Sequence, residues 1–435
     1  MRHAPIPKQL PTANRDHLRA MLPPQSLVVV NANDIPPTNA DGTTALVPNS
    51  DLFYLTSVEQ EQSVLLIAPD AIDEKMREIL FVRETSDLLV VWEGHKLTKD
   101  EARAASGIAR IEWLDQFPGM FRQLMAEAEN VYLNSNDYAR ATVEVESRDA
   151  RFVRETQHQF PLHQYRRLAQ LMRQLRLVKS EHEIALLERA CAITRDSYER
   201  VARFVQPGVN ECEIEAEFAH EYIRQRAKFS YLPIIASGKN ACVLHYIAND
   251  QPCKKGDLLL LDVAASYANY NCDVTRTLPV SGKFTRRQRE IYNAVLRVVR
   301  KSTDALKPGN LPRAWQKQAE AFMQEELLTL GLLKPRDIKK QDPDKPAVKK
   351  YFMHGIGHAL GLDVHDVFAP GVPMAPGWVM TVEPGIYLPD EGFAVRLEDD
   401  ILLTERGHVN LTKDIPIEAD DIEALMARRG KKGRR

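Results

Sequence analysis

The sequence of 435 residues is too long for one hydrophobic core, because single cores stop growing at roughly 250–300 residues, so its length predicts two domains. A hydrophobic fraction of 44% and a charged fraction of 27% are typical of a folded globular protein and exclude a disordered chain. The 58 Lys and Arg residues against 60 Asp and Glu residues give a net charge of -2, so there is no basic excess for nucleic-acid binding.

The cysteines and the N-terminal sequence indicate the cellular compartment. Five cysteines without CxxC spacing indicate neither a disulfide framework nor a zinc ribbon. The N-terminal run MRHAPIPKQLPTANRD lacks an apolar signal region, and no window reaches about 18 uninterrupted apolar residues. We therefore expect a cytoplasmic protein that binds neither nucleic acid nor a membrane. The basic tail GKKGRR, residues 430–435, is expected to be a solvated end.

The first third of the chain alternates apolar strand-like runs with helix-compatible pieces, which predicts a small α/β domain. The strand-like runs are 26–30, the PNSDLFYLTSV stretch that starts at Pro48, 63–68 and 79–82. Acids and histidines are dispersed here, so we expect a scaffold or oligomer-forming domain and no catalytic site.

Helical patterns follow. An Arg-rich pattern from about 164 to 177 predicts a linking helix, and Ser180 with Glu183 three residues later is a capping-box pairing that starts the next one. A further helix in ECEIEAEFAHEYIRQRA is expected to turn Ile214, Phe218 and Ile223 inward. These stripes indicate core packing.

Two pairs of predicted β runs each carry two acids. The first pair, in LLLLDVAASYANYNCDVTRTLPV, contains Asp262 and Asp273; the second, in GWVMTVEPGIYLP and GFAVRLEDDILLT, contains Glu383 and Glu398. A buried, unpaired carboxylate costs several kcal/mol, so each acid that follows an apolar run needs a cation or a hydrogen-bond partner. Any one of them alone could be a structural acid paired with an arginine.

Between the two pairs, residues 351–366 read YFMHGIGHALGLDVHD and contain His354, His358 and His365 among three glycines. Each glycine would cost about 1 kcal/mol relative to alanine inside a helix, so the stretch is predicted to be extended or irregular, with His354 and His358 on one face. The zinc-protease pattern HExxH fits poorly because Gly355 follows the first histidine. Scattered loop histidines with structural hydrogen bonds are the alternative.

Four carboxylates with an imidazole suit divalent Mn, Co, Fe or Zn better than a thiolate-preferring ion. Their charge balances two divalent cations, and a pair roughly 3.5–4 Å apart is typical of metal-assisted hydrolases.

Five segments carry a resemblance to a known family. NACVLHY, the run from Asp262 to Pro279 that ends in DVTRTLPV, HGIGHALGLDVHD, TVEPGIY and VRLEDDI, in this order, resemble the pita-bread metallopeptidases of the aminopeptidase P and prolidase group. The early PNSDLFYLTSV and ILFVRE runs look like the N-terminal domain of aminopeptidase P. The resemblance implies an α+β chain, with a smaller α/β domain at 1–172 and a pita-bread catalytic domain at 173–435.

By matching position, the resemblance implies roles for eight residues. Glu383, besides ligating metal, would orient or deprotonate the attacking water. His245 and His365 resemble the histidines that hold the substrate and assist the leaving nitrogen, and His354 lines the same pocket. The implied cofactor is a pair of divalent ions, Mn²⁺ first, with Co²⁺, Zn²⁺ or Fe²⁺ as alternatives. The implied metal ligands are Asp262, Asp273, His358, Glu383 and Glu398.

Arg396 lies two residues before Glu398 on a predicted strand, so it could order that carboxylate or meet substrate, with a plain salt bridge as an equal alternative. The chain also departs from the family pattern: it lacks the usual DAG after the first ligand, has Ser266 where an acid is common, and has Gly357 where serine is frequent. These departures bear on pocket shape and substrate length.

The resemblance implies an exopeptidase that releases the N-terminal residue from peptides with proline in the second position. A prolidase that cuts only Xaa-Pro dipeptides is the alternative, and the N-terminal likeness favours the aminopeptidase. A catalytically inactive pita-bread binding module and a metal-free creatinase-like hydrolase are disfavoured because all five ligands are present. The likeness also implies a dimer or tetramer.

Overall fold

The computed structural model describes residues 3–141, 144–342 and 344–428, and the predicted solvated tail at 430–435 lies outside them. The chain divides into two compact units, one running from His3 to Arg176 and one that begins at Leu177. Among the described residues, no helix combines the length and the apolar character that a membrane span requires.

The first unit contains one mixed β-sheet. Its strands are β1 (Ser26–Asn31), β2 (Val64–Ile67), β3 (Glu78–Val82), β4 (Arg110–Trp113), β5 (Asn130–Leu133) and β6 (Gln164–Arg167). Its helices are α1 (Gln9–Met21), α2 (Ser50–Thr56), α3 (Asp87–Glu93), α4 (Lys99–Ser106), α5 (Phe117–Glu127), α6 (Arg148–Gln159) and α7 (Ala169–Leu177). The strand order is β4-β3-β2-β1-β5-β6, with β1 antiparallel to β2 and parallel to β5. The predicted small α/β domain is confirmed.

Two predictions for this unit are wrong. The PNSDLFYLTSV stretch forms helix α2 and not a strand, because the Asn49 side chain accepts hydrogen bonds from the backbone N–H groups of Asp51 and Leu52 and starts a helix there. Residues 52–56 are all buried, so this helix has no exposed polar face. Its sequence therefore lacks the alternation of apolar and polar residues every 3.6 positions that would have predicted a helix. The linking helix predicted at 164–177 begins only at Ala169, because the first four residues pair with β5 as an edge strand.

The second unit consists of helices and short antiparallel strands. Its helices are α8 (Glu181–Phe204), α9 (Glu211–Arg224), α10 (Arg286–Ala305), α11 (Pro312–Thr329), α12 (Pro335–Lys339) and α13 (Ala419–Ala427). Its strands are β7 (Lys228–Phe229), β8 (Ile234–Ser237), β9 (Leu258–Asp262), β10 (Ala265–Tyr267), β11 (Tyr270–Asn271), β12 (Thr275–Pro279), β13 (Val379–Val382), β14 (Gly385–Leu388), β15 (Phe393–Arg396), β16 (Asp399–Thr404) and β17 (Gly407–Asn410).

The helices of this unit pack in pairs, α8 on α9 and α10 on α11. The predicted capping box at Ser180 and Glu183 is confirmed at the start of α8. On α9, Ile214 and Phe218 are buried as predicted, but Ile223 is 65% exposed. The buried stripe continues at Tyr222, four residues after Phe218, because an α-helix repeats every 3.6 residues and position 223 falls beside the stripe.

Each predicted pair of long β runs is broken in the middle. β9 pairs with β12 on one side and with β8 on the other, whereas the segment between β9 and β12 forms the separate β10–β11 hairpin. Likewise β13 pairs with β16, and β14 pairs with β15 in a second hairpin. The four acids lie at these breaks: Asp262 ends β9, Asp273 precedes β12, Glu383 separates β13 from β14, and Glu398 separates β15 from β16.

The histidine-bearing stretch, residues 351–366, is irregular as predicted and makes a single β-bridge, between Ala359 and Met380. A buried ion pair anchors its C-terminal end: Lys179 Nζ lies 3.1 Å from Asp366 Oδ2, and both side chains are 1% exposed. Gly361 is required beside this pair, because a Cβ at that position would overlap the Asp366 carboxylate. The pair therefore fixes the segment next to His365.

Lys179→Met is expected to lower the free energy of unfolding by about 3–5 kcal/mol, because it leaves the Asp366 carboxylate buried without its cation. The matched control is Arg203→Met, which removes the exposed ion pair to Glu199 on α8 and should leave stability nearly unchanged. Urea unfolding of the full chain measures both. The double variant Lys179→Met/Asp366→Asn should recover part of the loss, and a Lys179→Met effect no larger than that of Arg203→Met would contradict the anchoring role.

Candidate metal centre

The breaks between the strands bring the five predicted ligands together. His358 Nε2 lies 3.4 Å from Asp273 Oδ2 and 3.9 Å from Glu383 Oε1. Glu398 joins this group, since one ligand atom each from Asp273, His358 and Glu398 lie within 4.8 Å of one another. Asp262 is linked to Asp273 through Tyr231, whose role was not predicted.

Tyr231 lies between two of the acids. Its hydroxyl oxygen is 2.6 Å from Asp262 Oδ1 and 2.7 Å from Asp273 Oδ1. A phenol has one proton to donate, so it satisfies one of these carboxylates at a time. The other carboxylate needs a second proton or a cation.

The backbone around His358 determines which ring nitrogen faces the acids. His358 N–H donates to Thr381 Oγ1 (3.0 Å), and its carbonyl accepts from Thr381 N–H (2.9 Å). Nδ1 lies 3.0 Å from the carbonyl oxygen of Ala359. A carbonyl only accepts, so Nδ1 carries a proton, and Nε2 is the atom turned toward the carboxylates, as is usual for metal-binding histidines.

Gly357 explains one departure from the family pattern. A Cβ at this position would overlap the carbonyl oxygen of Thr381, so no larger residue fits this backbone. The close approach places the strand β13 directly against His358.

The acids are unfavourable as bare anions. Burial raises the pKa of Asp262 and raises that of Glu398 well above its usual range, and the negative charges of neighbouring acids add to both shifts. Burial also raises the pKa of Glu383 to about 7. Burial lowers the pKa of His358, but its hydrogen bond to Asp273 and the charge of Glu383 outweigh this and raise the pKa to about 9.

These shifts share one cause, a cluster of buried negative charge that favours bound protons or cations. Oxygen donors with one imidazole are the ligands that divalent Mn, Co, Fe and Zn accept. The donor set therefore fits a divalent metal ion.

Arg396 compensates part of this charge. Its Nη2 donates to Asp262 Oδ2 (2.6 Å), its Nη1 to the hydroxyl of Tyr387 (2.9 Å) and its Nε to Thr275 Oγ1 (3.2 Å). The salt bridge considered from the sequence is thus present, with Asp262 as its partner. Glu398 receives a hydrogen bond of 2.7 Å from Thr275 Oγ1, so Arg396 orders Glu398 through Thr275.

The three remaining predicted site residues are histidines near the predicted ligands. His354 Nδ1 lies 3.7 Å from Glu383 Oε2, and its Nε2 is 2.8 Å from the Tyr387 hydroxyl. Burial, together with the charge of Arg396 and a smaller effect of His245, lowers the pKa of His354 to about 3. The ring of His365 lies 3.9 Å from that of His358, centroid to centroid.

His245 is exposed in a turn, and a buried acid anchors the loop that carries it. Glu211, which is 0% exposed, accepts hydrogen bonds from the N–H of Ser237 (2.8 Å), the hydroxyl of Tyr246 (2.8 Å) and the N–H of Gln251 (3.0 Å). These contacts hold both ends of the loop.

Sequence reasoning missed Tyr231 and Thr275, which contact predicted ligands, and Tyr387, which contacts His354 and Arg396. Tyr231 and Tyr387 lie in apolar runs that give no signal of a polar contact. The sequence could have indicated Thr275, because it follows Asp273 by two residues, and this spacing places side chains on one face of a strand.

Comparisons with known proteins agree with this arrangement. Residues 185–405 match metallopeptidase family M24, and residues 12–132 match the aminopeptidase P N-terminal domain. The Xaa-Pro aminopeptidase of Escherichia coli (strain K12) is 34% identical over 431 residues, which cover 95% of this chain and 96% of that protein. Xaa-Pro aminopeptidase 3 of Homo sapiens is 30% identical over 417 residues, covering 91% of this chain and 78% of that protein.

Solved structures are similar over the whole chain. The Pseudomonas aeruginosa aminopeptidase PepP superposes with a TM-score of 0.87 at 30% identity, covering 98% of this chain and 100% of that one. A zinc-substituted E. coli aminopeptidase P in complex with product gives a TM-score of 0.86 at 33% identity, covering 99% and 100%. The predicted fold class, an α+β chain with a pita-bread domain after a smaller α/β domain, is confirmed. The chain belongs to the aminopeptidase P group of metallopeptidase family M24, whose members use divalent metal ions.

Proposed function

We propose that this chain is a metal-dependent Xaa-Pro aminopeptidase that releases the N-terminal residue from peptides with proline in the second position. The observation that carries the proposal is the meeting of four acids and His358 at the strand breaks of a chain that belongs to this family. The names of its relatives, Xaa-Pro aminopeptidases in E. coli and Homo sapiens, give the substrate class.

We propose further that Asp262, Asp273, His358, Glu383 and Glu398 hold two divalent cations, Mn²⁺ first, with Co²⁺, Zn²⁺ or Fe²⁺ as alternatives. Four carboxylates balance the charge of two such ions, and Arg396 offsets part of the remainder. The ions would supply Lewis acidity toward the peptide carbonyl and toward the attacking water.

Four side chains of the chain itself are assigned the remaining catalytic and substrate-binding roles. Glu383 lies between His358 and His354 and orients the attacking water or accepts its proton. His245 and His365 hold the substrate and assist the departing proline nitrogen, and His354 lines the pocket beside them. Two buried acids support this assignment. Glu211 anchors the segment that carries His245, and Asp366 anchors the one that carries His365.

A prolidase that cuts only dipeptides is the second candidate. The match of residues 12–132 to the aminopeptidase P N-terminal domain favours the aminopeptidase. A solved E. coli aminopeptidase P carries the inhibitor Pro-Leu, a dipeptide that begins with proline, as the product of Xaa-Pro cleavage does. An inactive binding module is disfavoured by the same five side chains.

The proposal extends to the domain bounds, the oligomeric state and the cellular compartment. The N-terminal domain would span 1–172 and the catalytic domain 173–435, and the chain would form a homodimer or homotetramer in the cytoplasm. The family likeness supports the oligomer, and the cysteines, all of them free, are consistent with a reducing compartment.

Substrate length decides between the two candidates. With Mn²⁺ supplied, Ala-Pro-Ala should lose its N-terminal alanine, and Ala-Ala-Ala should react at least tenfold more slowly, roughly the discrimination that a shaped pocket gives. Product analysis by chromatography measures both, with a metal-stripped sample as the control. Cleavage of Ala-Pro but not of Ala-Pro-Ala would overturn the aminopeptidase in favour of the prolidase.

Glu383→Gln should lower kcat by about 10²–10⁴-fold, because an amide cannot accept the proton of the attacking water. The matched control is Glu391→Gln, a surface carboxylate whose partner is Arg287 (2.7 Å) and which should leave kcat unchanged. Steady-state kinetics, with circular dichroism to verify folding, provide the measurement. A folded Glu383→Gln enzyme with activity within a few-fold of the parent would refute the assigned role.

A further inference from the structure

A second group of metal-binding side chains lies beside the candidate metal centre. It consists of Cys191 on α8, Cys272 immediately before Asp273, and Asp400 on β16. One ligand atom from each lies within 4.8 Å of the others. The three residues are 4%, 0% and 0% exposed, so the group is a closed site within the core.

The Asp400 carboxylate contacts both thiols of the group, Cys191 and Cys272. Oδ2 accepts the backbone N–H of Asp273 at 3.0 Å and the thiol of Cys191 at 3.7 Å. Oδ1 is buried and has no hydrogen-bond partner among the residues that the structure describes. A buried acceptor without a partner costs about 1–3 kcal/mol, so this oxygen points independently to a missing ligand.

We propose that Cys191, Cys272 and Asp400 form a third cation site that takes a thiophilic divalent ion such as Zn²⁺ or Cd²⁺. Two thiolates and a carboxylate are a donor set for Zn²⁺, whereas Mn²⁺ prefers the oxygen donors of the neighbouring centre. The two centres therefore select different ions. This site goes beyond the proposed peptidase activity and does not depend on it.

The spacing of the donor atoms suits such an ion. A Zn–S bond of about 2.3 Å and a Zn–O bond of about 2.1 Å at a tetrahedral angle place the two donor atoms about 3.6 Å apart, and Cys191 Sγ and Asp400 Oδ2 are 3.7 Å apart. Binding releases to solvent the protons of the two thiols and of the Asp400 carboxyl, leaving three negative donor groups around a divalent cation. The Asp400 carboxylate would hold the ion through both of its oxygens, so that Oδ1 would gain the partner that it lacks.

The test uses the full chain loaded with Mn²⁺ in a Cys212→Ser background, which removes the exposed thiol. After prolonged incubation with Cd²⁺ and removal of excess ion, metal analysis and the ultraviolet thiolate-to-cadmium absorption band are recorded. We expect one Cd²⁺ per chain with the band, and Mn²⁺ retained.

Cys191→Ser and Cys272→Ser should each weaken Cd²⁺ binding at least about tenfold and diminish the band. Cys253→Ser, which removes a buried thiol outside the group, is the matched control and should change neither. Because Cys272 adjoins Asp273, Cys191→Ser on α8 serves as the second, independent variant, and circular dichroism verifies folding.

Cd²⁺ bound without the thiolate band would show occupation of an oxygen site alone and would overturn the proposal. So would a band that persists in both cysteine variants, or no Cd²⁺ uptake at all. If no Cd²⁺ is taken up, the group is a hydrogen-bonded thiol pair beside a protonated carboxyl.

Discussion

Four carboxylates that meet at breaks between β-strands, two of them buried and two half-buried, are the constraint on which the rest of this structure depends. Their charges cannot remain uncompensated in the core, and the fold responds with the Arg396 guanidinium, the shared proton of Tyr231 and the imidazole of His358. These groups balance only part of the charge. Family membership and the donor set both point to divalent cations for the remainder, so the energetics of the core and the proposed chemistry have a common origin.

Contacts outside the candidate centre hold its side chains in place. Gly357 lets the backbone approach Thr381 closely, and Thr381 in turn fixes His358 through two hydrogen bonds. The Lys179–Asp366 pair and Glu211 anchor the segments of His365 and His245. Side chains outside the candidate centre thus determine where the predicted site residues lie, as is typical of preorganised sites.

The sequence predicted the helices of the second unit well, because capping boxes such as Ser180 with Glu183 and apolar stripes are local signals. It also identified all five residues that converge on the candidate centre. The PNSDLFYLTSV stretch was predicted wrongly because full burial hides the helical period. The breaks in the strands, the pairing of Arg396 with Asp262 and the contacts of Tyr231 depend on distant partners, which no local pattern records.

The most direct measurement is anomalous X-ray diffraction at the manganese edge from crystals of the Mn²⁺-saturated protein. The account predicts two anomalous peaks per chain, roughly 3.5–4 Å apart, in contact with the carboxylates of Asp262, Asp273, Glu383 and Glu398 and with Nε2 of His358. A saturated, folded protein with no such pair of peaks, or with its manganese bound elsewhere in the chain, would contradict it.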